Sequence, residues 1–534
     1  MKKSSNRKFE MFMKKIFTTR YAMAAITASA VIVALTITSC TKTEELSGGK
    51  NKVTSIQASI AGDIKTEAVI GGDETDLATG TKVTLADNAN SLGVGGMGVV
   101  WATGDPIYVY GPSSAAIPTK FTLTSGAASK NATFSPAGTF SAADGDQVYA
   151  IYAPWAPQET FPANWITNGH LVQLQGAYCT FKTPMTFFAI SSTTKIYNYS
   201  IMYAGATYSS ASGANLVFHN ALAAIRVALP TTGSYRVIKA YFADGSMYNT
   251  ATMTLSGSGN NPVISWSNFQ KYGTRSLMSQ TGDSNFSDSG VGNKMFFMML
   301  PKDSRTGLII TFLPGGAGAS ATAVYYVMIT GTGSLAGGNY YKIPESSVKT
   351  GALLNSSTAP SSDFWYCTAD PTTSYIQEAL NSASSNKTVV IDGFTSTPSA
   401  VNGCSYLETF VDNNCTALSA NMFFGCTSLK NVSIPNVAAL PSDAFAGCTA
   451  LTEIFLPAVK SLGSRAFRNC SALKKIVFRS IVNSESWSTG GVDAFNSIDP
   501  ANNIDLVLKS GQTGVGVDGK TFNGITFKNI YYKD

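Results

Sequence analysis

The sequence predicts a mainly β protein in which β-sandwich structure is followed by a solenoid of stacked repeats. Three observations support this fold class. Only 13% of the 534 residues are charged while 48 are glycine, a composition typical of extracellular β structure. Short segments of two-residue apolar alternation fill residues 53–350. Beyond them, cysteines recur every 22 residues, and a fixed period of this length is typical of repeat architectures.

A secretory signal peptide is expected over residues 1–39. Basic residues between Lys14 and Arg20 precede the apolar run 21–37, and small residues follow. A transmembrane helix is the alternative, but this run is shorter than the ~20 residues that a membrane span needs. Residues 37–40, Ile-Thr-Ser-Cys, resemble the lipobox of bacterial lipoproteins. The resemblance implies cleavage before Cys40 and attachment of fatty acyl chains such as palmitate to that cysteine.

The residues after Cys40 indicate where the lipoprotein is exported. Lys-Thr-Glu-Glu at 42–45 is similar to the acidic signal that directs lipoproteins to the outer face of the outer membrane in fimbrillin-bearing Gram-negative bacteria. The implied arrangement is a lipidated linker over residues 40–52 and a surface-exposed protein anchored in the cell outer membrane.

The positive net charge belongs to the signal peptide. The whole chain has 38 basic and 32 acidic residues, and the first 39 positions hold seven of the basic residues but one of the acidic residues. The mature chain is therefore formally neutral. Because binding to nucleic acid depends on positive charge, no nucleic-acid partner is expected.

Residues 53–350 contain seven clear strand signals. Apolar residues such as Ile107 and Val109 alternate with polar positions, so one face of each strand is predicted to be buried in a sandwich. Glycine and serine clusters separate the segments. The segments are 53–60, 99–110, 147–152, 224–229, 295–300, 308–313 and 324–329.

Several phrases in this region resemble the fimbrillin-like (Mfa-like) family of bacterial surface proteins. They are Trp-Ala-Thr-Gly-Asp-Pro-Ile at 101–107, Phe-Thr-Leu-Thr-Ser-Gly at 121–126, Tyr-Ala-Ile-Tyr at 149–152, His-Asn-Ala-Leu-Ala-Ala-Ile-Arg-Val at 219–227, Met-Leu-Pro at 299–301 and Gly-Thr-Gly-Ser-Leu-Ala-Gly-Gly-Asn-Tyr-Tyr at 331–341. The resemblance implies two tandem transthyretin-like β-sandwich domains, at 53–210 and 211–350, with a junction near the Gly- and Ser-rich residues 205–215. Such domains are found in fimbrial subunits and related surface adhesins.

The chain departs from the polymerising members of that family in two ways. Those subunits are cleaved after a basic residue, commonly arginine, near the start of the first domain, whereas no arginine lies between Arg20 and Arg226. Their C-terminus supplies a strand to a neighbouring subunit, but here the repeats occupy the C-terminus. We therefore expect a fimbrial tip, an anchor or a stand-alone adhesin rather than a stalk subunit.

The repeats are defined by a register that the cysteines share with other apolar residues. One coil of this length cannot bury its own apolar face, so stacked coils are expected to align equivalent side chains in inward ladders. The cysteine is then a small buried apolar residue. The predicted ladders are Cys404, Cys426, Cys448 and Cys470, then Leu407, Leu429, Leu451 and Leu473, then Phe423, Phe445 and Phe467, with a degenerate rung at Ala494-Phe495.

One phrase of the repeat region is nearly duplicated. Ala-Phe-Ala-Gly-Cys-Thr-Ala-Leu at 444–451 has a near copy at 466–473. The pattern closely resembles the BspA-type leucine-rich repeats of bacterial surface proteins, over roughly residues 385–510. The predicted repeat domain spans 385–534 and includes a C-terminal cap.

Three chemical states are open to the cysteine ladder. Neighbouring rungs lie about 4.8 Å apart, which is within the Cα range for a disulfide. All four side chains should nevertheless point the same way into a packed core, which favours buried free thiols over bridges. A zinc cluster is disfavoured because a linear ladder does not supply tetrahedral ligands.

Residues 351–384 are predicted to form a linker and a cap. The linker is the Ser- and Pro-containing stretch 355–362. Residues 363–367 and a helix over 374–383 are expected to cover the open end of the first coil. In the alternative, Trp365 and Tyr366 are exposed aromatic residues that bind a ligand.

Enzymatic and cofactor functions have little support in the sequence. The two histidines, His170 and His219, fall in different predicted domains, so a His-centred metal site or a catalytic triad lacks parts. Asp105 is expected to be a turn residue, and no acidic cluster sits in a recognisable glycosidase site. Residues Gly93 to Gly98 spell a dinucleotide-binding fingerprint, but a strand signal follows it instead of a helix. We expect a non-enzymatic protein without a metal or cofactor.

The sequence therefore predicts a surface-exposed lipoprotein adhesin that binds a protein or glycan on host or bacterial surfaces through its repeats. A fimbrial tip, anchor or assembly component, with fimbrial subunits as partners, is the first alternative. A glycan-binding or glycan-processing surface lipoprotein is the second. The outward positions of the repeats include Lys430, Asn431, Thr452, Glu453, Lys474 and Lys475.

Overall fold

The computed structural model describes residues 44–46, 50–60, 65–69, 101, 103–111, 118–127, 129–152, 178–182, 201–228, 235–273, 275–278, 294–314, 323–482 and 492–533. Within these ranges, no helix combines the length and the apolar character that crossing a membrane requires. The predicted signal peptide, Cys40, His170 and the fingerprint at 93–98 lie outside the described residues.

The first β-rich part folds around a sheet that closes on itself. In chain order its strands are β1 (Glu44–Leu46), β2 (Lys50–Lys52), β3 (Ile56–Ile60), β4 (Lys65–Val69), β5 (Pro106–Tyr110), β6 (Thr119–Ser125), β7 (Asn131–Pro136), β8 (Ser141–Ala142), β9 (Gln147–Tyr152), β10 (Tyr178–Lys182), β11 (Met202–Thr207) and β12 (Asn215–Asn220). The closed sheet has the order β11-β12-β3-β7-β6-β5-β9. Inside it, the Trp101 indole meets Phe134 and Phe218 edge-on, at ring-centroid distances of 5.0 and 5.3 Å.

The Gly- and Ser-rich stretch that was expected at a domain junction lies inside this closed sheet. Residues 208–214 connect β11 to β12, and both strands belong to the same sheet. The backbone groups of Ser209 and Gly213 hydrogen-bond to each other across the turn, at 3.2 and 2.7 Å. The glycines and serines therefore serve a turn between neighbouring strands, and the chain enters the next sheet only after Asn220.

The second β-rich part takes two strands from the first. Its own strands are β13 (Ala223–Ala228), β14 (Tyr235–Phe242), β15 (Tyr248–Ser256), β16 (Val263–Tyr272), β17 (Arg275–Met278), β18 (Lys294–Met299), β19 (Leu308–Pro314), β20 (Val324–Met328), β21 (Asn339–Ile343) and β22 (Lys349–Leu354), with a 3-10 turn at Glu345–Ser347. One sheet has the order β18-β13-β21-β4 and another β10-β15-β16. Each of the seven predicted strand segments contains a strand, so the mainly β prediction is confirmed.

The repeats form coils whose strands stack in parallel. Their elements are β23 (Phe364–Cys367), α1 (Tyr375–Asn381), β24 (Lys387–Ile391), β25 (Leu407–Asp412), β26 (Asn431–Ser433), β27 (Ala439–Leu440), β28 (Glu453–Leu456), β29 (Ser461–Leu462), β30 (Lys475–Phe478), a 3-10 turn at Val492–Phe495, α2 (Pro500–Asn503), β31 (Asp505–Leu508), β32 (Thr521–Phe522), β33 (Ile525–Thr526) and β34 (Asn529–Tyr532). Equivalent residues of successive coils are direct neighbours, as Phe410 is of Val432 and Ile454 is of Ile476.

The second β-rich part and the repeats share one nine-stranded sheet. Its order is β17-β14-β19-β20-β22-β23-β24-β25-β26. Strand β22 pairs antiparallel with β20 and parallel with β23, so it joins the two parts through backbone hydrogen bonds. Gly351 of β22 lets the rings of Tyr326 and Phe364 stack across it with centroids 3.9 Å apart, because a Cβ there would lie 2.8 Å from Phe364 Cδ1.

This shared sheet corrects the predicted linker and cap over 351–384. Strand β22 runs to Leu354, and β23 is the strand of the first coil rather than a separate cover. Trp365 and Tyr366 are 0% and 5% exposed, so they are not available as an exposed aromatic binding surface. The predicted helix is present as α1, and it packs Ile376 and Leu380 into the repeat core.

Candidate ligand-binding face of the repeats

The predicted ladder residues lie together in one continuous core. All eleven cysteine, leucine and phenylalanine side chains of the three ladders are 0% exposed. The rings of Phe423, Phe445 and Phe467 stack from coil to coil, with centroids 5.1 and 5.5 Å apart. The stack continues to Phe495 in the degenerate rung at 5.7 Å. These ladders hold the coils together from inside and offer no surface to a ligand.

The ladder cysteines also hydrogen-bond to the preceding coil. Cys448 Sγ and Cys470 Sγ lie 3.1 and 3.0 Å from the carbonyl oxygens of Phe423 and Phe445, and each thiol donates to that oxygen. Burial raises the pKa of the Cys470 thiol to about 12. A protonated thiol is a poor nucleophile and a poor metal ligand. The four ladder cysteines are free thiols in the structure.

The outward side chains of the parallel strands form two neighbouring surfaces. In a strand, alternate residues point to opposite faces, so the residues between the inward ladders face outward. The apolar row consists of Tyr366, Val390, Val411, Ser433, Phe455, Val477 and Val507. The polar strip beside it has Asn431, Glu453, Lys475, Asp505 and Asn529 at equivalent strand positions. It also includes Glu408, Lys430, Thr452 and Lys474, each of which stands one residue before the equivalent position of its coil.

The first half of the apolar row is covered by the end of β14. Tyr241 and Ala243 belong to one buried cluster with Tyr366, Val390 and Val411. The Tyr241 side chain is 1% exposed. This half of the row is therefore an internal interface between the second β-rich part and the repeats.

The covering segment, residues 241–248, continues along the rest of the row. Gly245 has a φ of 78°, and a Cβ there would lie 3.1 Å from Ser433 Oγ, so both its backbone conformation and its close approach favour glycine. Further along, Tyr248 packs against Phe455, Val477 and Val507. The segment thus crosses successive coils in order and removes the apolar row from the surface available to a ligand.

Polar contacts fix the covering segment and its supporting strand. Lys302 Nζ donates to Ser246 Oγ at 2.6 Å and lies 4.3 Å from the centroid of the Phe242 ring. Burial lowers the pKa of the Lys302 ammonium. On β14, Lys239 Nζ lies 2.6 Å from the carboxylate of Asp392, which follows β24 in the repeats. The interface is therefore held by directional contacts as well as by apolar packing.

The polar strip remains at the surface and carries its charges in exposed pairs. Lys430 Nζ lies 2.7 Å from Glu408 Oε1, and Lys475 Nζ lies 2.8 Å from Glu453 Oε1. These four side chains are between 33% and 54% exposed. Lys474 is exposed as well. Exposed pairs of this kind contribute ~0–1 kcal/mol to stability, so their charged groups can be rearranged by a ligand at little cost.

The candidate catalytic residues that the structure describes have structural surroundings. His219 lies on β12 with its ring tilted against Tyr203 at a centroid distance of 5.7 Å, and burial lowers its pKa. Asp105 Oδ1 accepts a hydrogen bond of 3.1 Å from the Tyr152 hydroxyl. Within the described ranges, no group of three or more His, Cys, Asp or Glu side chains is placed to hold a metal ion.

A buried carboxylate beside the interface is a feature that the sequence reasoning missed. Asp412 is 0% exposed, and its Oδ1 accepts hydrogen bonds from the backbone N–H groups of Asn414 and Cys415 at 3.1 and 2.9 Å. Burial raises the pKa of Asp412 to about 6. The Asp-Asn-Asn-Cys sequence at 412–415 is a usable turn signal, because aspartate side chains often accept from the backbone two residues ahead.

The repeat region is recognised by comparison with known families. Residues 397–506 match the family model of the BspA type leucine-rich repeat region in six copies. The resemblance found in the sequence of the repeats is thereby confirmed. A search of curated proteins gives no match.

Solved structures of bacterial surface proteins resemble part of the chain. A "putative cell adhesion protein" from Bacteroides uniformis is 14% identical, covers 47% of this chain and 91% of its own, and has a TM-score of 0.29. A fimbrial assembly protein from Parabacteroides distasonis is 9% identical, covers 55% of this chain and 92% of its own, and has a TM-score of 0.27. TM-scores in this range do not establish a shared fold, so the fimbrillin-like resemblance rests on the sequence motifs.

Proposed function

We propose that the protein is a surface-exposed lipoprotein adhesin that binds a macromolecule through the polar strip. The match of residues 397–506 to the BspA type leucine-rich repeat model supports this proposal. One observation carries this proposal. The apolar row is covered by residues 241–248, while the polar strip next to it stays exposed over several successive coils. An extended surface of this kind suits a long ligand better than a small molecule.

The chemistry of the strip favours a polar ligand with charges of both signs. The strip holds three lysines and three carboxylates, and two of the lysines pair with a glutamate of the preceding coil, so no single-sign field dominates the strip. Lys474 provides an exposed cation at the centre of the strip, and Thr452 provides an exposed hydroxyl beside it. We therefore assign the strip to a protein or glycan on a host or bacterial surface.

The rest of the chain would hold the strip away from the membrane. We assign Cys40 as the lipid attachment site and the two fimbrillin-like β-rich parts as a spacer, on the strength of the sequence resemblances. The shared sheet supports the spacer role because it joins the second β-rich part to the first coil without a linker.

The proposal is tested on the intact protein displayed on bacterial cells. Removing residues 53–350 is unsuitable, because the repeats would lose the covering segment 241–248 and expose the apolar row. The variant Lys430→Glu with Lys474→Glu reverses two charges of the strip, and Lys349→Glu is the matched control at an exposed lysine outside it. Binding to host cells and to immobilised matrix should fall at least about tenfold in the double variant and stay unchanged in the control.

Two outcomes would contradict the proposal. Unchanged binding by the double variant would exclude the polar strip as the ligand-binding surface. Co-purification with fimbrial subunits, together with no binding to host cells or matrix, would favour the fimbrial tip or anchor function instead.

A further inference from the structure

We propose that the last strand of the repeats, β34, binds an extended strand of a partner protein whose ends carry acidic residues. In the part of the chain that the structure describes, β34 is hydrogen-bonded to β31 and forms the edge of its sheet. Backbone N–H and C=O groups along a sheet edge are a template for the addition of another strand.

The side chains of β34 continue the repeats on both faces of the sheet. Tyr531 follows Val507 in the apolar row, and Tyr532 follows Leu508 in the inward ladder. Val507 and Leu508 are 7% and 0% exposed, whereas Tyr531 and Tyr532 are 50% and 49% exposed. An added strand would cover one ring on each face, and burial of this aromatic surface favours its binding.

The opposite end of the repeats shows how this chain closes a coil. There, β22 pairs in parallel with β23, directs Leu354 into the repeat core and places Leu353 against the cluster on the outer face. Leu354 is 1% exposed in this arrangement. A parallel strand with apolar side chains on both faces is therefore the geometry that buries an end of this stack. No strand within the described ranges takes that position beside β34.

Charge around the last coil selects the partner. The two described carboxylates of this coil are engaged within it, since Asp505 accepts from Asn529 Nδ2 and Asp518 accepts from Thr521 Oγ1. Lysines outnumber them, and they are Lys509, Lys520, Lys528 and Lys533. Lys533 Nζ lies 3.7 Å from the exposed carboxylate of Asp303, which leaves three lysines against two engaged carboxylates. A strand with acidic ends is attracted to this edge. A second copy of β34 in antiparallel pairing would bring Lys528 near the other copy's Lys533, which is repulsive.

The test measures binding of a fluorescent synthetic peptide to the full chain by anisotropy. The peptide has a central Val-Leu-Val-Leu segment with glutamates at both ends, and the matched control peptide has lysines at both ends. We expect the glutamate peptide to bind at least about tenfold more tightly than the lysine peptide, and salt to reduce the difference.

A proline variant tests whether the backbone edge is used. Lys533 N–H donates to the Leu508 carbonyl, so strand alternation directs the N–H of Tyr532 to the free edge. Tyr532→Pro removes that donor without breaking a bond to β31, and it should weaken peptide binding at least about tenfold. The control is Phe424→Ala, which removes a 40% exposed ring from an earlier coil and should leave binding unchanged. Thermal melting of each variant verifies that it is folded.

Tyr531→Ser with Tyr532→Ser tests the side chains while keeping the backbone intact, and it should also weaken binding. Retained binding in both β34 variants would overturn the proposal, as would equal binding of the two peptides or no binding of either. Self-association that Tyr532→Pro abolishes in sedimentation would overturn it in favour of a second copy. The β34 variants change Tyr531 and Tyr532, whereas the test of the polar strip changes Lys430 and Lys474. None of these outcomes therefore decides whether the strip binds a ligand.

Discussion

Lys239 on β14 and Asp392 beyond β24 form an ion pair of 2.6 Å that joins the second β-rich part to the repeats. The Asp392 carboxylate also accepts a hydrogen bond of 2.6 Å from the Tyr366 hydroxyl. The Asp392 side chain is 8% exposed and that of Lys239 is 23% exposed, so water competes little for the carboxylate. This contact should therefore matter more for stability than the surface pairs of the polar strip.

Asp392→Asn should lower the free energy of unfolding by about 1–3 kcal/mol, because it leaves a largely buried ammonium without its counter-charge. Urea unfolding of the full chain measures the effect. Glu408→Gln breaks the exposed pair with Lys430 and serves as the control, with an expected loss of at most about 1 kcal/mol. Equal losses in the two variants would show that the interface pair has no special role.

Phe445→Ala should lower the stability of the repeats by about 3–5 kcal/mol, because it opens a cavity between two stacked rings. Lys474→Ala, at an exposed position of a neighbouring coil, should change it by at most about 0.5 kcal/mol. Thermal and urea unfolding of the full chain measure both. Similar effects of the two changes would show that the inward and outward positions of the coils have been exchanged.

The cysteine ladder should react with thiol reagents only after unfolding. Burial raises the pKa of Cys404, Cys426 and Cys470 to about 12, so the reactive thiolate is scarce in the folded protein. Denatured protein should be labelled at all four ladder positions without prior reduction. Burial of the protonated thiols stabilises the folded protein. Because each folded pKa is raised, this stabilisation is complete below the ordinary thiol pKa and is lost as pH rises toward about 12. Peptide mapping that finds bridges between adjacent coils would reject the free-thiol state.

Asp412→Asn should stabilise the protein relative to the natural chain as pH rises. The folded pKa of about 6 lies above the ordinary value of 3.8, so the folded state favours the protonated carboxyl. In the natural chain, the protonated Asp412 carboxyl therefore makes its full contribution to the free energy of unfolding below about pH 4. About 2–3 kcal/mol of that contribution is lost as pH rises through 6. Urea unfolding of both proteins at several pH values gives the difference. A difference that does not change with pH would contradict the raised pKa.

Cys40→Ser should leave an unlipidated precursor. The lipobox resemblance places the acyl chains on this cysteine, and without them stable anchoring in the membrane is lost. Metabolic labelling with an alkyne fatty acid, followed by detergent phase partition, measures lipidation. A variant that still incorporates the label and enters the detergent phase would refute the assignment.

Phe445 and Phe455 show what the sequence of the repeats could and could not reveal. Phe445 recurs as Phe423 and Phe467 in the same register, and this recurrence predicts an inward ring. Phe455 occupies the same outward position of its coil as Ser433 does one coil earlier. The 22-residue period therefore predicts that the Phe455 ring points outward, but it does not predict which residues cover the ring. The covering residues 241–248 lie far away in the chain, and no local pattern connects them to the apolar row.

The pairing of strands is the second feature that the sequence did not predict. The alternation at 53–60 is visible in the sequence, but period alone does not specify a neighbour. Strand β4 joins a sheet of the second β-rich part, and β22 closes the first coil of the repeats. Both pairings cross the domain boundaries that composition and glycine content predict. The ladder thiols likewise looked like apolar fillers, because the carbonyl groups that accept from them belong to another coil.

The contact between residues 241–248 and the apolar row restricts how the number of coils can change in evolution. Solenoid genes commonly gain or lose whole coils by duplication and deletion. Here, one extra coil between Ser433 and Phe455 would displace Phe455 and Val477 by about 4.8 Å from Tyr248. The number of coils is therefore tied to the length of the covering segment 241–248. Descendants in which the number of coils has changed should carry a compensating change in the length of that segment.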